Sequence, residues 1–474
     1  MSFATKAGIV LGAAAFSGMA VASTGNASND LQSRLEAAEA KIAEMSAQQS
    51  GDWLTEQRSE QIRGLVQDVL ADADTRASLQ GDGATSGYNN GFFVQSADGK
   101  WSMKVNGVFQ ERWNMGSQPA HLAVATVPGN DNHAFGFETT RALLNFSGSL
   151  AGKAFYNVRL DWSPYNTAAG NGLSNSELEW AYGGWNINDT WSVQVGRQKF
   201  DVMRAFMVNA EDQQAIERSS QTYYWDTSAI TNGIKLVGNS DQARYNVMFS
   251  NGSNGGGAGF GNAAWAANDH GWAVTGRGEW LLQGDWSQFD RIGSSTGEAA
   301  GMLLGVGAGY LNNQGVGGDD NWIVSADLSY DGNGWNMYGS VTGGNNNNAT
   351  TAVAGRGSND GTSLGFEVGA GMYMNDNNEL YARWQWLSPG LALGNASGGT
   401  EDVSSKLNIA TIGWNHYIAG PNTKLSVDWN WCFSDPGFAN ALGGGAMGYT
   451  GWWTNAAQTS GSQWLFRTQL QVSF

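Results

Sequence analysis

The chain has fewer cysteine, proline and charged residues than most large soluble proteins. Its 474 residues include one cysteine, 6 prolines and only 14% charged side chains. The lone Cys432 has no second cysteine with which to form an internal disulfide, so we predict that it is a strand residue without redox chemistry. A charged fraction this low is unusual for a protein whose whole surface faces water.

Long apolar runs and excess basic residues are also missing. After residue 25, no uninterrupted apolar segment approaches the ~20 residues that a membrane-spanning helix needs, which excludes a helical membrane protein. The 25 Lys and Arg are outnumbered by 42 Asp and Glu, and the resulting net charge of −17 opposes nucleic-acid binding.

Residue patterns for catalysis and metal binding are equally scarce. The four histidines of the chain are His121, His133, His270 and His416. None lies in a motif with a serine and an acid, so we do not predict an enzyme. Two Asn/Asp clusters, at 129–133 and 318–321, do not match the spacing of a calcium loop and are predicted to be solvated loops. The sequence predicts neither a metal site nor a cofactor.

Glycine and aromatic residues are abundant instead. The chain contains 67 Gly, 22 Trp, 14 Tyr and 19 Phe, and its glycine share is about twice the average. Beyond Lys100, apolar and polar residues alternate with a period of two, which indicates strands with one apolar and one polar face. Trp and Tyr fall at the strand ends, as an interfacial aromatic girdle requires. This combination is typical of a transmembrane β-barrel.

The last eleven residues carry the pattern most clearly. On the apolar face lie Trp464, Phe466, Leu470, Val472 and Phe474, and only Thr468 interrupts it. The length matches the about 9–11 residues that a tilted strand needs to cross a bilayer. A strand that ends the chain on a bare aromatic resembles the closing strand of bacterial outer-membrane barrels, where the barrel-assembly machinery reads the terminal Phe. We therefore predict Phe474 as an assembly signal; an ordinary amphipathic edge strand is the alternative.

The alternation predicts sixteen antiparallel strands within residues 101–474. They lie near 102–113, 137–149, 153–162, 176–187, 190–197, 231–237, 243–251, 271–284, 301–311, 320–331, 333–344, 361–374, 378–388, 405–418, 423–432 and 463–474. Short Gly/Asn/Asp turns alternate with long polar connections, as in outer-membrane barrels. Two connections break this rule, because 285–300 is long where a turn is expected and 312–319 is short where a loop is expected. A miscounted strand there would give 14 or 18.

The N-terminal region has a different composition. Residues 1–22 have the positive start, apolar stretch and small-residue cleavage site of a signal peptide. Residues 28–80 predict an α-helical stalk, followed by a linker and short β segment at 81–100. The stalk carries a heptad seam at Leu31, Leu35, Ala38, Ile42 and Met45. We predict a periplasmic coiled coil that trimerises or touches the peptidoglycan; a helix that packs only on itself or on the barrel base is the alternative.

The connection after the fifth predicted strand carries a recognisable motif order. Gly196-Arg197-Gln198-Lys199 is followed by Met203-Arg204-Ala205-Phe206 and Glu217-Arg218-Ser219, with Arg141-Ala142-Leu143-Leu144 upstream. Over about residues 103–225 the chain resembles the phosphate-selective porin O and P family. The resemblance implies a sixteen-stranded, homotrimeric barrel in outer-membrane lipid, whose third loop bends inward to narrow a water-filled pore. We predict passive diffusion of ions and small hydrophilic solutes, because the sequence shows neither an NTP-binding loop nor a plug-like domain.

Charged residues on the third loop and on inward strand positions are the candidate functional residues. The predicted constriction residues are Lys199, Arg204, Glu211, Asp212, Glu217 and Arg218. The predicted pore-wall residues are Arg141, Arg159, Asp161, Arg244, Arg277, Glu279, Asp327, Glu367, Arg383 and Asp428. Facing basic and acidic groups would set up a transverse field, and the acidic balance does not favour phosphate specificity. A structural outer-membrane anchor, linked to the cell wall by the stalk, is the alternative function.

Overall fold

The computed structural model describes twelve parts of the chain. These are residues 33, 36–41, 83–117, 133–163, 177–225, 230–251, 271–297, 299–312, 320–345, 362–388, 406–433 and 463–474. The chain divides into two units, Met1–Gly83 and Ala84–Phe474.

The first unit contains few described residues. Residues 36–41 are helical, and Ala38 among them is half-buried. The predicted signal peptide, most of the stalk and the other four seam positions lie outside the described residues. The structure therefore gives the coiled coil no support.

The second unit is built from strands. They are β1 (Thr85–Tyr88), β2 (Phe92–Gln95), β3 (Ser102–Ser117), β4 (His133–Leu150), β5 (Ala154–Asp161), β6 (Glu177–Asn186), β7 (Trp191–Lys199), β8 (Ile230–Asn239), β9 (Ala243–Asn251), β10 (Trp272–Gln283), β11 (Gly301–Asn312), β12 (Asn321–Gly332), β13 (Trp335–Asn345), β14 (Thr362–Asn375), β15 (Asn378–Ser388), β16 (Leu407–Ala419), β17 (Thr423–Cys432) and β18 (Gln463–Ser473). Two short helices, α1 (Arg204–Met207) and α2 (Ser220–Trp225), follow β7.

Strands β3 to β18 form a closed antiparallel barrel. Each pairs with the next along the chain, and β18 pairs back onto β3 from Trp464 opposite Ser117 to Ser473 opposite Val108. The predicted count of sixteen is confirmed. Strands β1 and β2 form a hairpin, and β2 pairs with the start of β3.

The two faces of the barrel wall differ because side chains alternate along each strand. Outward positions carry large exposed apolar side chains, such as Val247, Phe249 and Val306. Inward positions carry buried polar groups, such as Gln110 and Arg112, each 0% exposed. A wall that is apolar outside and polar inside suits a barrel surrounded by lipid. Among the described residues, no helix has the length and apolar character needed to cross a membrane.

Connections differ between the two rims. On the rim that we call the turn side, most strands are joined by a few residues, and glycines such as Gly334 (φ 83°) and Gly420 (φ 60°) supply the left-handed backbone of the turns. The opposite rim, the loop side, carries longer connections. Residues 284–300, between β10 and β11, are the long exception on the turn side and contain a 3-10 helix, Trp286–Phe289. The unexpected length of 285–300 is thus due to a long connection and not to a miscounted strand, so the strand count is unchanged.

Candidate functional site

Residues 200–225, which follow β7, lie against the inner face of the barrel. We call them the inward loop; they contain α1, a 3-10 turn at Ala210–Asp212 and α2. Their side chains and backbone contact inward-facing residues of strands as distant in sequence as β3, β15 and β18. These contacts make the inward loop the candidate functional site.

Glu217 is the most heavily bonded residue of the inward loop. Its buried carboxylate accepts hydrogen bonds from the Arg141 guanidinium at 2.8 and 2.9 Å and from Arg112 at 3.2 Å. The Tyr223 hydroxyl donates to the same carboxylate at 2.7 Å, and Arg383 donates to the Glu217 carbonyl at 2.8 Å. Charge-assisted bonds of this kind are the strongest in proteins. Glu217 therefore anchors the loop to β3, β4 and β15.

Arg204 and Arg218 bind backbone carbonyls. Arg218 donates to the carbonyls of Ala205 at 3.0 Å and Val208 at 2.7 Å, both within the inward loop. Arg204 donates to the carbonyl of Phe289, which belongs to the turn-side connection 284–300, at 2.5 Å. Both guanidiniums are buried, so their contacts fix the path of the backbone.

The middle of the inward loop meets β5, β6 and β7. The Arg159 guanidinium binds both oxygens of Glu211, at 2.9 and 3.1 Å, and its centre lies 4.7 Å from the Trp180 ring. Lys199 lies 5.1 Å from the same ring and donates to the Asn209 side chain at 2.9 Å. Two cations within this distance of one aromatic face are each stabilised by its negative charge distribution.

Glu211 and Asp212 are adjacent carboxylates with opposite pKa shifts. Burial raises the pKa of Glu211, but the charge and hydrogen bonds of Arg159, a backbone hydrogen bond and the charge of Lys199 together lower that pKa to about 2. Burial and the neighbouring Glu211 charge raise the pKa of Asp212 to about 6. Asp212 is therefore the loop carboxylate that changes charge near neutral pH.

Nine of the ten predicted pore-wall residues are buried. They are Arg141, Arg159, Asp161, Arg277, Glu279, Asp327, Glu367, Arg383 and Asp428. The tenth, Arg244, is half-buried, with its guanidinium 4.1 Å from the Trp286 ring.

The buried wall charges are largely paired with each other. Arg277 binds both oxygens of Asp327, at 2.7 and 2.8 Å, and also Glu279 at 3.0 Å. Glu367 lies 3.7 Å from Arg383 and accepts a hydrogen bond from Ser219 of the inward loop at 2.6 Å. The Asp161 carboxylate accepts the backbone N–H of Ser163 at 2.7 Å. These ion pairs thus link β10 to β12 and β14 to β15 on the inner face of the barrel.

Several site residues were not among the predicted ones. Arg467 binds Asp428 at 2.8 Å, and Lys235 binds Asp201 at 2.8 Å. Glu379 accepts hydrogen bonds from the inward loop through Gln214. The polar face of the closing strand could have indicated Arg467, since it alternates with Phe466 and Thr468. No local pattern in the sequence distinguishes Glu379.

Two cavities on the turn side border the inward loop. The first, of about 440 Å³, is lined by Asn106, Asn145 and Asp212 among others. The second, of about 370 Å³, is lined by residues that include Tyr182, Gln194 and Lys235. Both cavities reach Asn157, Trp180 and Asn209. We call the two cavities together the vestibule.

Phe474, the predicted assembly signal, completes the closure of the barrel. Its backbone N–H and carbonyl pair with those of Gly107 at 3.1 and 3.0 Å, and its ring lies 6.1 Å from that of Phe92. Its reading by the assembly machinery stays a prediction.

A closed sixteen-stranded antiparallel barrel, apolar outside and polar inside, with a long loop held against its inner wall, defines the porin class of outer-membrane channels. The family model for phosphate-selective porin O and P matches residues 121–432, more than half of the chain. The chain belongs to this family, and the resemblance predicted from its motifs is confirmed. It is an outer-membrane porin channel, and this family and fold favour a channel over an enzyme or a structural anchor.

Solved porin structures share the fold. The anion-selective porin of Comamonas acidovorans matches with 11% identity and a TM-score of 0.51, over 79% of this chain and 100% of that one. The DcaP channel of Acinetobacter baumannii matches with 11% identity and a TM-score of 0.50, over 80% and 99% of the two chains. OmpF of Salmonella typhi matches with 12% identity and a TM-score of 0.50, over 82% and 100%. None of the curated proteins matches the sequence.

Proposed function

We propose that this porin passes ions and small hydrophilic solutes by passive diffusion, and that its third loop, the inward loop, narrows the pore. The observation that carries the proposal is the Glu217 carboxylate, which binds Arg112 and Arg141 of the wall while fully buried. A loop tied to the wall by such pairs keeps its place in the lumen. Because a barrel of sixteen strands encloses an aqueous channel, selectivity depends on what folds into it.

The charges bordering the vestibule favour a general pathway over phosphate specificity. Arg159 and Lys199 lie beside Glu211, and Asp212 follows it on the same turn. Groups of both signs therefore face the same water-filled space. Such an arrangement orders dipolar solutes and does not concentrate one sign of ion.

Planar-bilayer conductance of the purified protein tests this function. We expect stepwise channels, a reversal potential of modest size under a KCl gradient, and no block by low phosphate. Folded, heat-modifiable protein without conductance would contradict the diffusion function. Inhibition by low phosphate would replace general diffusion with phosphate specificity.

We also propose that the protein is a homotrimer whose contact face includes β18, β3 and β4. The observation in favour is a polar cluster on the outer wall. The Glu111 carboxylate, on an outward position of β3, accepts a hydrogen bond from Thr139 of β4 at 2.7 Å, and Thr468 of β18 lies diagonally across. Glu111 pairs with Leu470 of β18, which lies between the aromatic residues at the two ends of that strand. A carboxylate at that depth is costly against lipid, and a protein partner removes this cost.

A pair of tryptophan substitutions tests the contact face. We expect T468W to shift the trimer toward monomer on native gels, because a large ring would separate packed subunits. V306W is the matched control, since Val306 lies on an outward position of β11, is 40% exposed and would meet lipid. If both variants keep the same trimer dissociation temperature, the face around Thr468 contacts lipid. The signal peptide, the stalk and its contact with peptidoglycan stay predictions.

A further inference from the structure

The long connection on the turn side, residues 284–300, does not stay at the rim. We call it the turn-side segment. Its Ile292 backbone N–H donates to the Asp212 carbonyl at 3.0 Å, and its Phe289 carbonyl accepts from Arg204 at 2.5 Å. Asp212 and Arg204 both belong to the inward loop. The lumen therefore holds two inward elements, one from each rim, that bond to each other.

The two inward elements share the same wall residues. Ser294 of the turn-side segment donates from its backbone to Glu379 at 2.9 Å and from its hydroxyl to Asn336 at 2.8 Å. Gln214 of the inward loop donates to the same two side chains, at 2.6 and 2.7 Å. All four residues are buried. Neither element can leave this wall without breaking bonds that the other also uses.

This packing fills one sector of the barrel from rim to rim. On β12, inward side chains are buried at both ends, with Ile323 at 1% and Asp331 at 3% exposure. On β15, Glu379 near the turn side and Leu387 near the loop side are both 0% exposed. A cavity of about 20 Å³ lies between the two elements and this wall, lined by Gln214, Ile292 and Tyr381 among others. That is room for about one water molecule and too little for a hydrated ion.

The opposite sector is different in its turn-side half. Inward side chains of β4 to β8 line much of the vestibule there, and five of them are half-buried: Asn145, Asn157, Tyr182, Gln194 and Val237. The vestibule reaches the inward loop at Asn209. The lumen is thus filled on one side and open to the turn-side rim on the other.

We propose that the turn-side segment is a second constriction element, and that it confines permeation to the β4–β8 sector. This inference rests on the proposed diffusion function. The residues that set selectivity are then those bordering the vestibule, with Asn157, Trp180 and Asn209 at the junction of its two cavities. The charged pairs of the filled sector, such as Arg383 with Glu367, are structural.

Cysteine modification during conductance measurement tests the path. Cys432 is the single native cysteine and is buried, so C432S supplies a thiol-free background. N157C places a thiol in the open sector, three residues from the turn-side end of β5. S329C is the matched control, because Ser329 lies three residues from the turn-side end of β12, and its hydroxyl is unpaired. A charged methanethiosulfonate reagent is added from the turn side, and labelling is followed by mass spectrometry.

We expect the reagent to label N157C and to reduce its current by about half or more, while S329C stays unlabelled with unchanged current. Equal block of both variants, block of S329C alone, or labelled N157C with unchanged current would each overturn the proposal. If the C432S protein carried no current, this result would instead contradict the proposed diffusion function itself.

A second variant tests the turn-side segment directly. Replacing residues 290–297 by two glycines should open the filled sector, so that S329C becomes labelled and its modification reduces the current. We also expect a higher single-channel conductance than in the parent. If S329C stays unreactive and the conductance is unchanged in the shortened, folded protein, the segment does not constrict the pore.

Discussion

Replacing Glu217 by alanine is expected to raise the single-channel conductance and make the current noisy. The change removes the carboxylate that Arg112 and Arg141 share, and it leaves two buried cations facing each other. Breaking a buried pair on one side costs about 3–5 kcal/mol, and here the loop can relieve this cost by leaving the wall. The measurements are bilayer conductance and the midpoint of heat modification on gels, which should fall.

Asp428 provides the matched control for Glu217. D428N also weakens a buried pair, with Arg467, but within the described part of the chain the other bonds of Asp428 go to Asn430 and Tyr381 and not to the inward loop. We expect D428N to lower the heat-modification midpoint while the conductance stays at the parent value. If E217A also kept the parent conductance, the inward loop would not depend on Glu217 for its place in the pore.

Lowering the pH from 7 to 5 is expected to shift the ion selectivity of the channel toward anions. Burial and Glu211 raise the pKa of Asp212 to about 6, so Asp212 is mostly ionised at pH 7 and mostly protonated at pH 5. Glu211, with a pKa of about 2, keeps its charge over this range. The lost negative charge lies close to Arg159 and Lys199, which border the vestibule, so the charge there becomes more positive. The reversal potential under a KCl gradient measures the change.

The variant D212N is expected to weaken this pH dependence, because it removes the carboxylate that gains a proton between pH 7 and pH 5. The effect on stability has a definite sign. Since the pKa of Asp212 in the folded protein lies above its ordinary value of 3.8, the folded state binds the proton more tightly than the unfolded chain does. The stabilisation is therefore present below pH 3.8 and is lost as the pH rises through about 6. A D212N channel with the same pH response as the parent would assign the titration to another group.

The strands could be predicted from the sequence because alternation is a local property. The fifth predicted strand, 190–197, differs from β7 (Trp191–Lys199) by at most two residues at each end. The third strand in the structure's numbering extends to Ser117, beyond its predicted end at 113, because it pairs with His133 at the start of β4. That extension depends on the partner strand, which the local pattern does not contain.

The partners of the site residues could not be predicted in the same way. Alternation places Arg141 on the polar face of its strand, but it does not reveal the bond to Glu217, 76 residues away. The sequence shows that Arg218 is positively charged, but it does not show that its guanidinium binds backbone carbonyls. Those bonds depend on the folded path of the loop. Likewise, the sequence shows that the connection 285–300 is longer than the alternation of short turns and long loops predicts. Its direction, into the lumen, follows only from contacts such as Ile292 with Asp212.

The pairing of β18 with β3 has a consequence for the order of events in biogenesis. The inward loop binds Arg112 of β3 and also Gln471 of β18, whose side chain donates to the Glu211 carbonyl at 3.0 Å. The seam between these strands forms only when the last residues of the chain are available. Because the loop bonds to both strands of the seam, its full set of contacts exists only once the barrel has closed. Barrel closure and docking of the loop therefore stabilise each other, and a chain whose seam stays open would lack part of the contacts that hold the loop.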